Sequence, residues 1–427
     1  MTLATRMLTL AAVVSAVMLA TAQSPSPGAP SSATPSSATP APADKPECRA
    51  ADGRPNLNTP NLAANCPDLF AWSKFIEVNG PAPTARGKVL WETWATDPNT
   101  FPATPNPTLC NLPNPPPGTC PVWPAADAPH TMLFAAKRFD DDNDPSTPPP
   151  HAVTVPVPTK GVPPDLGAIA GETIRRNRVT FDYIVNNALW YQEGLKQRFN
   201  DNFTIELPLA SMEVKLNWLP MSYVADPSRY FTVIDDKNVL QGLVAMHITT
   251  KDLPNWYWAT FEHVDNPGRC DFIGCTDSFG ATPSFRPPRG ALKQAYPAET
   301  LTSALVAMMK AANLNPVFQN YRLKGSQTDF TDSRGQPTLV GNSVTEYGFV
   351  PTASCITCHS RAGTDWNGQK PANLRIFGEK LGGQTFNGPA DPELFYDRND
   401  PARRYMMQAD FVWAIPFRAQ PIGGKKK

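Results

Sequence analysis

Residues 211–219 read Ser-Met-Glu-Val-Lys-Leu-Asn-Trp-Leu, with Met212, Val214, Leu216 and Trp218 alternating against Glu213, Lys215 and Asn217. A period of two sends the two sets to opposite faces of a β-strand, one apolar and one polar. Two further strands are expected nearby. Residues 239–250 are β-branched and apolar and carry His247, and residues 255–264, Asn-Trp-Tyr-Trp-Ala-Thr-Phe-Glu-His-Val, carry Glu262 and His263. Aromatic and β-branched side chains at that density suit a pleated, buried surface. If the three strands pair, Glu213, Lys215, His247, Glu262 and His263 gather on neighbouring strands as an acid–base group or a second metal site. The plainer alternative is a solvated, charged sheet face. By alternation Trp256 and Trp258 share a face with Glu262, while His263 turns the other way with Tyr257 and Phe261.

Around these strands the pattern is mixed. Residues 168–199 read as helical, with Phe181, Ile184, Val185, Ala188 and Leu189 forming one apolar face. A second helix is expected over 297–313, with Pro297 at its first position and Leu301, Leu305 and Met308 on one face. Residues 88–94, 131–139, 317–321 and 410–417 look like strands. The class is α+β and sheet-rich, with a few helices. The body is assigned to 166–345, behind a Pro-rich irregular wrapping region at 48–165.

Pro accounts for 49 of the 427 residues, which excludes a helical bundle or coiled coil. Lys+Arg and Asp+Glu each number 38, a balance that argues against nucleic acid as a partner. The first 22 residues resemble an export signal: Arg6, an apolar run over 7–20, then Ala20-Thr21-Ala22 before a cut near Gln23. That run is too short for a stable membrane span, and no later stretch approaches the length one needs. A periplasmic or secreted protein is expected. Residues 23–47, rich in Ser, Pro, Ala and Thr, read as a tether. The acidic run 140–144 resembles a calcium loop only superficially. Pro145 stands where an EF-hand needs Gly, and His151 where it needs Glu.

Eight cysteines decide the chemistry. Cys355-Ile356-Thr357-Cys358-His359 has the spacing of c-type haem attachment, in which two thiols take up the haem vinyl groups and the adjacent His binds iron. A zinc site would need a second ligand pair at similar spacing, and a thioredoxin-like dithiol a βαβ context. Neither is visible. One covalent haem c is therefore expected, on Cys355 and Cys358 with His359 as proximal iron ligand. His359 lies in the last sixth of the chain, so the haem-binding segment, 346–427, is integrated into the body near the C-terminus rather than forming a detachable module.

Three strings together carry a family likeness: Met-Glu-Val-Lys at 212–215, Trp-Tyr-Trp-Ala-Thr-Phe-Glu-His-Val-Asp-Asn at 256–266, and Cys-Ile-Thr-Cys-His at 355–359. The set resembles uncharacterised exported bacterial cytochrome c family proteins with one late haem motif, over roughly 170–420. The likeness implies haem and export and leaves the reaction open. Met406 and Met407 are candidates for a sixth iron ligand, and Glu213, His247 and His263 for distal acid–base or ligand roles. Two functions are open: an exported mono-haem cytochrome in electron transfer or redox chemistry, or a peroxidase- or oxygenase-like haem enzyme with an open distal site using His or Glu. The partner is a redox protein or a small-molecule substrate.

The other six cysteines, even in number in an exported chain, suggest disulfides between sequence neighbours: Cys48–Cys66, Cys110–Cys120 and Cys270–Cys275. Non-reducing peptide mapping of exported protein should recover these three cross-linked peptides and leave Cys355 and Cys358 outside them.

Overall fold

The computed structural model describes residues 45–128, 130, 166–286, 295–371 and 388–424, with short strand pairs involving 38–39, 380–381 and 384–385. The export signal, most of the tether, the strand expected over 131–139 and the acidic run 140–144 lie outside the described residues. The described residues belong to one contact unit spanning 36–427.

The centre is a seven-stranded antiparallel sheet: β1 (Ala95–Thr96), β2 (Gly171–Arg176), β3 (Met212–Pro220), β4 (Thr232–Ile234), β5 (Leu240–Thr250), β6 (Tyr257–His263) and β7 (Tyr321–Gln327). Their order is β7-β6-β5-β3-β2-β1, with β4 paired to the start of β5. Together with its helices the sheet makes the chain α+β.

Alternation along the strands produces two unlike faces. Met212, Val214, Leu216 and Trp218 join Met246, Ile248, Tyr257, Phe261, Tyr321 and Leu323 in the main core. Helices α1 (Pro67–Asn79) and α4 (Ser303–Ala311) cover this face. Phe75 sits 4.4 Å from Phe261 and Trp72 5.1 Å from it, ring centre to ring centre. Aromatic pairs of this kind add about 0.5–1.5 kcal/mol each beyond their area burial.

The Pro-rich front is thus not irregular throughout, since α1 supplies much of the core opposite the sheet. Its one proline, Pro67, stands at the first position, where the missing N–H costs no helical bond. Other local expectations shift for similar reasons. Within 168–199 the first part, Gly171–Arg176, is a strand paired to β3. Apart from a single turn at Leu166–Ile169, helix begins after Asn177, whose Oδ1 accepts the Thr180 N–H and caps α2 (Arg178–Asn186); α3 (Gln192–Asn200) follows. Helix α4 starts after Thr302, which caps it, and not at Pro297. Residues 88–94 form a 3-10 turn over Leu90–Thr93, and 317–321 another over Pro316–Asn320, each leading into its strand. Residues 410–417 do not form a strand: they turn into α6 (Ala414–Arg418).

The three bridges pair as their spacing predicts, Cys48–Cys66, Cys110–Cys120 and Cys270–Cys275. No helix among the described residues is long and apolar enough to cross a membrane.

A buried charge chain ties the front to the sheet and to the C-terminal helix. Arg176 donates to Asp97 at 2.5 Å and to Glu213 at 3.0 Å, and Arg418 donates to the second oxygen of Asp97 at 2.8 Å. Burial opposes the Asp97 charge, but the two guanidinium groups outweigh it and hold the carboxyl below its ordinary value. Asp97→Ala should cost about 3–5 kcal/mol in urea unfolding, the penalty for uncovering a buried charge. The triple change Asp97→Ala, Arg176→Met and Glu213→Gln, which removes all three buried charges together, should recover much of that loss.

Candidate functional site

The Cys-Ile-Thr-Cys-His motif forms a one-turn helix, α5 (Cys355–His359). Five residues do not hold a helix by themselves. This one is held by the sheet: the Ile356 N–H donates to Gln327 Oε1 on β7 at 3.0 Å, and Gln327 Nε2 donates to Ser354 Oγ at 2.9 Å. Ile356 is fully buried and anchors one side. Cys355, Cys358 and His359, three and four positions apart, share the other.

Both thiols are half-buried and unpaired, whereas the other six cysteines are bridged. Burial pushes the Cys358 thiol up to about 12 and Cys355 well above the ordinary thiol value, so both stay protonated. A reactive thiolate requires the opposite shift. Burial likewise pushes His359 down to about 3, leaving a neutral imidazole. Its Nδ1–H donates to the Phe411 carbonyl at 2.7 Å, which leaves the lone pair on Nε2. The Trp258 ring lies 4.5 Å from the imidazole, and Trp413 Nε1 donates to the Cys358 carbonyl at 3.1 Å.

The polar sheet face adjoins this motif and is buried, not solvated. Lys215 pairs in register with His247, and His247 with Thr260. Segment 342–346 covers the row. Asn342 Nδ2 donates to Thr260 Oγ1 at 2.8 Å, Thr345 Oγ1 to Asn217 Oδ1 at 2.6 Å, and the Ser343 N–H to Glu262 Oε1 at 2.8 Å. His247 Nε2 lies 3.1 Å from Glu346 Oε1, while its buried Nδ1 has no hydrogen-bond partner among the described residues. Burial disfavours the Lys215 charge, yet Glu172 (3.4 Å away) and Glu346 raise it above its ordinary value. The charges of Lys215 and Glu346 bear on both thiols and on His359.

Of the residues singled out in the sequence, His247 alone joins Cys355, Cys358 and His359 with a ring nitrogen to spare. Glu213 is committed to Arg176. Glu262 accepts from Ser343 and Asn266 and lies 3.5 Å from the buried Lys324 ammonium. His263 faces the opposite side, as alternation predicts, stacked on Tyr230 at 3.8 Å. Met406 and Met407 lie on β9 (Met406–Gln408), paired with β8 (Gly363–Asp365). Both are buried beside Ile356, Phe395, Val412 and Trp413, and both line a cavity of about 110 Å³ with Ser360 and Phe411. Gln327, Asn342, Glu346 and the Phe411 carbonyl were not legible as site groups. Asn342 with Glu346 is a local turn signature, but a carbonyl leaves no trace in sequence.

The donor set suits a covalently attached haem: two neighbouring neutral thiols, and one imidazole with its tautomer set by a backbone carbonyl. The only metal-type cluster among the described residues, Cys270, Cys275 and Glu299, does not suit an ion, since the sulfurs are bridged and Glu299 pairs with Arg269 at 2.7 Å. No family model, curated protein or solved structure matches the chain.

His263 generates a pH test away from the motif. Its Nε2–H donates to the Arg229 carbonyl at 3.0 Å and Nδ1 accepts the Asp265 N–H at 3.2 Å, so both nitrogens are used in the neutral ring. Burial, against the opposing pull of Asp265, lowers its pKa to about 4. The folded state therefore binds the proton less readily than the unfolded state. This contribution is whole above pH ~6.5 and declines as pH falls toward 4, by about 3 kcal/mol in all. Urea midpoints measured from pH 7 to 4 should fall less steeply in His263→Gln than in the wild type.

Proposed function

We propose that the chain is an exported c-type haem protein carrying one haem, bound covalently through Cys355 and Cys358 with His359 as proximal iron ligand, and working in electron transfer or related redox chemistry. The observation that carries this reading is the neutral His359, with Nδ1–H committed to Phe411 and Nε2 left over, on one helical face with the two unbridged cysteines. Bound there, haem supplies a one-electron couple that the protein sets through axial ligand and burial. The sequence resemblance to exported cytochrome c family proteins points the same way. Three disulfides fit the oxidising compartment that the signal-like N-terminus implies. The counterpart is a redox protein or a small molecule.

A second reading, a haem enzyme with an open distal side, draws on His247. Its buried Nδ1, without a partner among the described residues, in a polar cluster with Lys215 and Glu346, is the type of group a distal acid–base residue requires.

Co-expression with haem-maturation machinery should give mature protein heavier by one haem, with Cys355→Ala and Cys358→Ala each impairing attachment and His359→Ala disordering the iron site. Wild-type protein without the haem increment would overturn the proposal. Loss of a sulfur-to-iron band in Met406→Leu or Met407→Leu identifies a Met-ligated electron carrier. Carbon monoxide binding to the wild type, altered by His247→Ala, identifies the open-site alternative.

A further inference from the structure

The carbonyl that sets the His359 tautomer sits on an unusual piece of backbone. Asp410 has φ 44° and Phe411 φ 67°, two successive non-glycine residues in the left-handed region. L side chains avoid that region, and Phe has no local hydrogen bond with which to compensate. Such a conformation persists only where its surroundings over-determine it. Here they do. Asp410 Oδ2 accepts the Leu207 N–H at 2.7 Å, and Oδ1 accepts Lys251 Nζ at 2.6 Å and Trp256 Nε1 at 3.3 Å. Lys251 Nζ also donates to the Pro254 carbonyl at 3.0 Å. The Lys251 and Asp410 side chains are only 6% and 8% exposed. Lys251 directly follows β5 and Trp256 directly precedes β6, so the turn is fastened to one end of the central sheet.

The rest of the turn is bound to the haem segment. The Ala409 N–H donates to the Ala362 carbonyl at 2.8 Å, and the Val412 N–H closes onto Ala409 at 2.9 Å. Phe411 then presents its carbonyl to His359. Lys251 and Asp410 spend their own hydrogen bonds on each other and on Leu207, Pro254 and Trp256, so they reach the imidazole only through the backbone. Replacing a buried ion pair by apolar groups is often neutral for stability. The geometric consequence of the pair here is the aim of the Phe411 carbonyl.

We infer that Lys251 and Asp410 are positioning residues for His359: the buried pair pins the left-handed turn that delivers the Phe411 carbonyl, and so selects the Nδ1–H tautomer and the plane of the ring. The consequence for iron rests on the haem reading above, while the tautomer itself does not. A carbonyl acceptor on the far nitrogen raises imidazole basicity and favours ferric iron. Releasing it should raise the reduction potential without detaching haem.

The test uses full-length mature protein labelled with ¹⁵N-histidine, in which five histidines are to be assigned. Long-range ¹H–¹⁵N spectra of the metal-free wild type should show His359 as a single Nδ1–H tautomer, whereas Asp410→Ala and Lys251→Met should show a mixture. Replacing both residues of the turn by glycine, Asp410→Gly with Phe411→Gly, should restore the single tautomer, because glycine adopts positive φ unaided at each position. A general loss of folding would not be rescued in that way. In haem-loaded protein both single variants should keep the haem mass and raise the midpoint potential. An unchanged tautomer in both single variants, or a mixed tautomer in the wild type, would overturn the inference. A wild type that takes up no haem overturns the haem reading alone, and the metal-free spectra still decide the positioning role.

Discussion

A β-sheet buried on both faces must satisfy the polar side chains on the second one. That constraint organises this protein. The face carrying Val214, Leu216 and Phe261 needs only apolar partners, which α1 and α4 supply. The face carrying Asn217, His247, Thr260 and Glu262 needs donors and acceptors, because an unpaired buried polar group costs about 1–3 kcal/mol. Segment 342–346 provides most of them from its backbone and from Asn342, Ser343 and Thr345, and leaves His247 Nδ1 and Asn217 Nδ2 unmet among the described residues. The chain then runs directly into the Cys-x-x-Cys-His helix, so the motif is placed by the same contacts that complete the fold.

The arrangement explains why so short a helix is held. One sheet residue, Gln327, serves both the Ile356 N–H and the Ser354 hydroxyl, and Ile356 fills the adjoining apolar cluster. From the other side the 409–413 turn reaches the helix twice, through the Phe411 carbonyl and the Trp413 indole. Cys355, Cys358 and His359 are thus held between a sheet edge and a turn that are far apart in sequence. Side chains fixed on rigid neighbours in this way keep their geometry without needing local propensity.

Buried charge is the second theme. Arg176 links Asp97 and Glu213, Lys324 faces Glu262, and Lys251 faces Asp410. Each pair joins elements remote in the chain. Pairs of this type contribute little net stability against apolar replacements, but breaking one partner is costly, so they enforce a single arrangement. Glu213 and Glu262, attractive as acid–base groups from their strand positions, are drawn into this structural role.

By itself the sequence determined the features that depend on near neighbours in the chain. Alternation over 211–219 and 255–264 set the strands and their faces, including the opposite orientation of Glu262 and His263. The cysteine spacing anticipated the three bridges, and five consecutive residues carried the candidate haem motif. Tertiary structure decided the rest. Gly171–Arg176 became a strand because β3 offered it a ladder, against a helical pattern in its own neighbourhood. Helix α1 emerged from the Pro-rich front because its single proline stands where a helix tolerates one. Which acid pairs with which base, which histidine keeps a free nitrogen and which carbonyl faces His359 are long-range matters: Phe411 lies 52 residues from His359, and Asp410 lies 159 from Lys251. A hydrogen bond is short-ranged and directional, and only the folded backbone brings such groups within its reach.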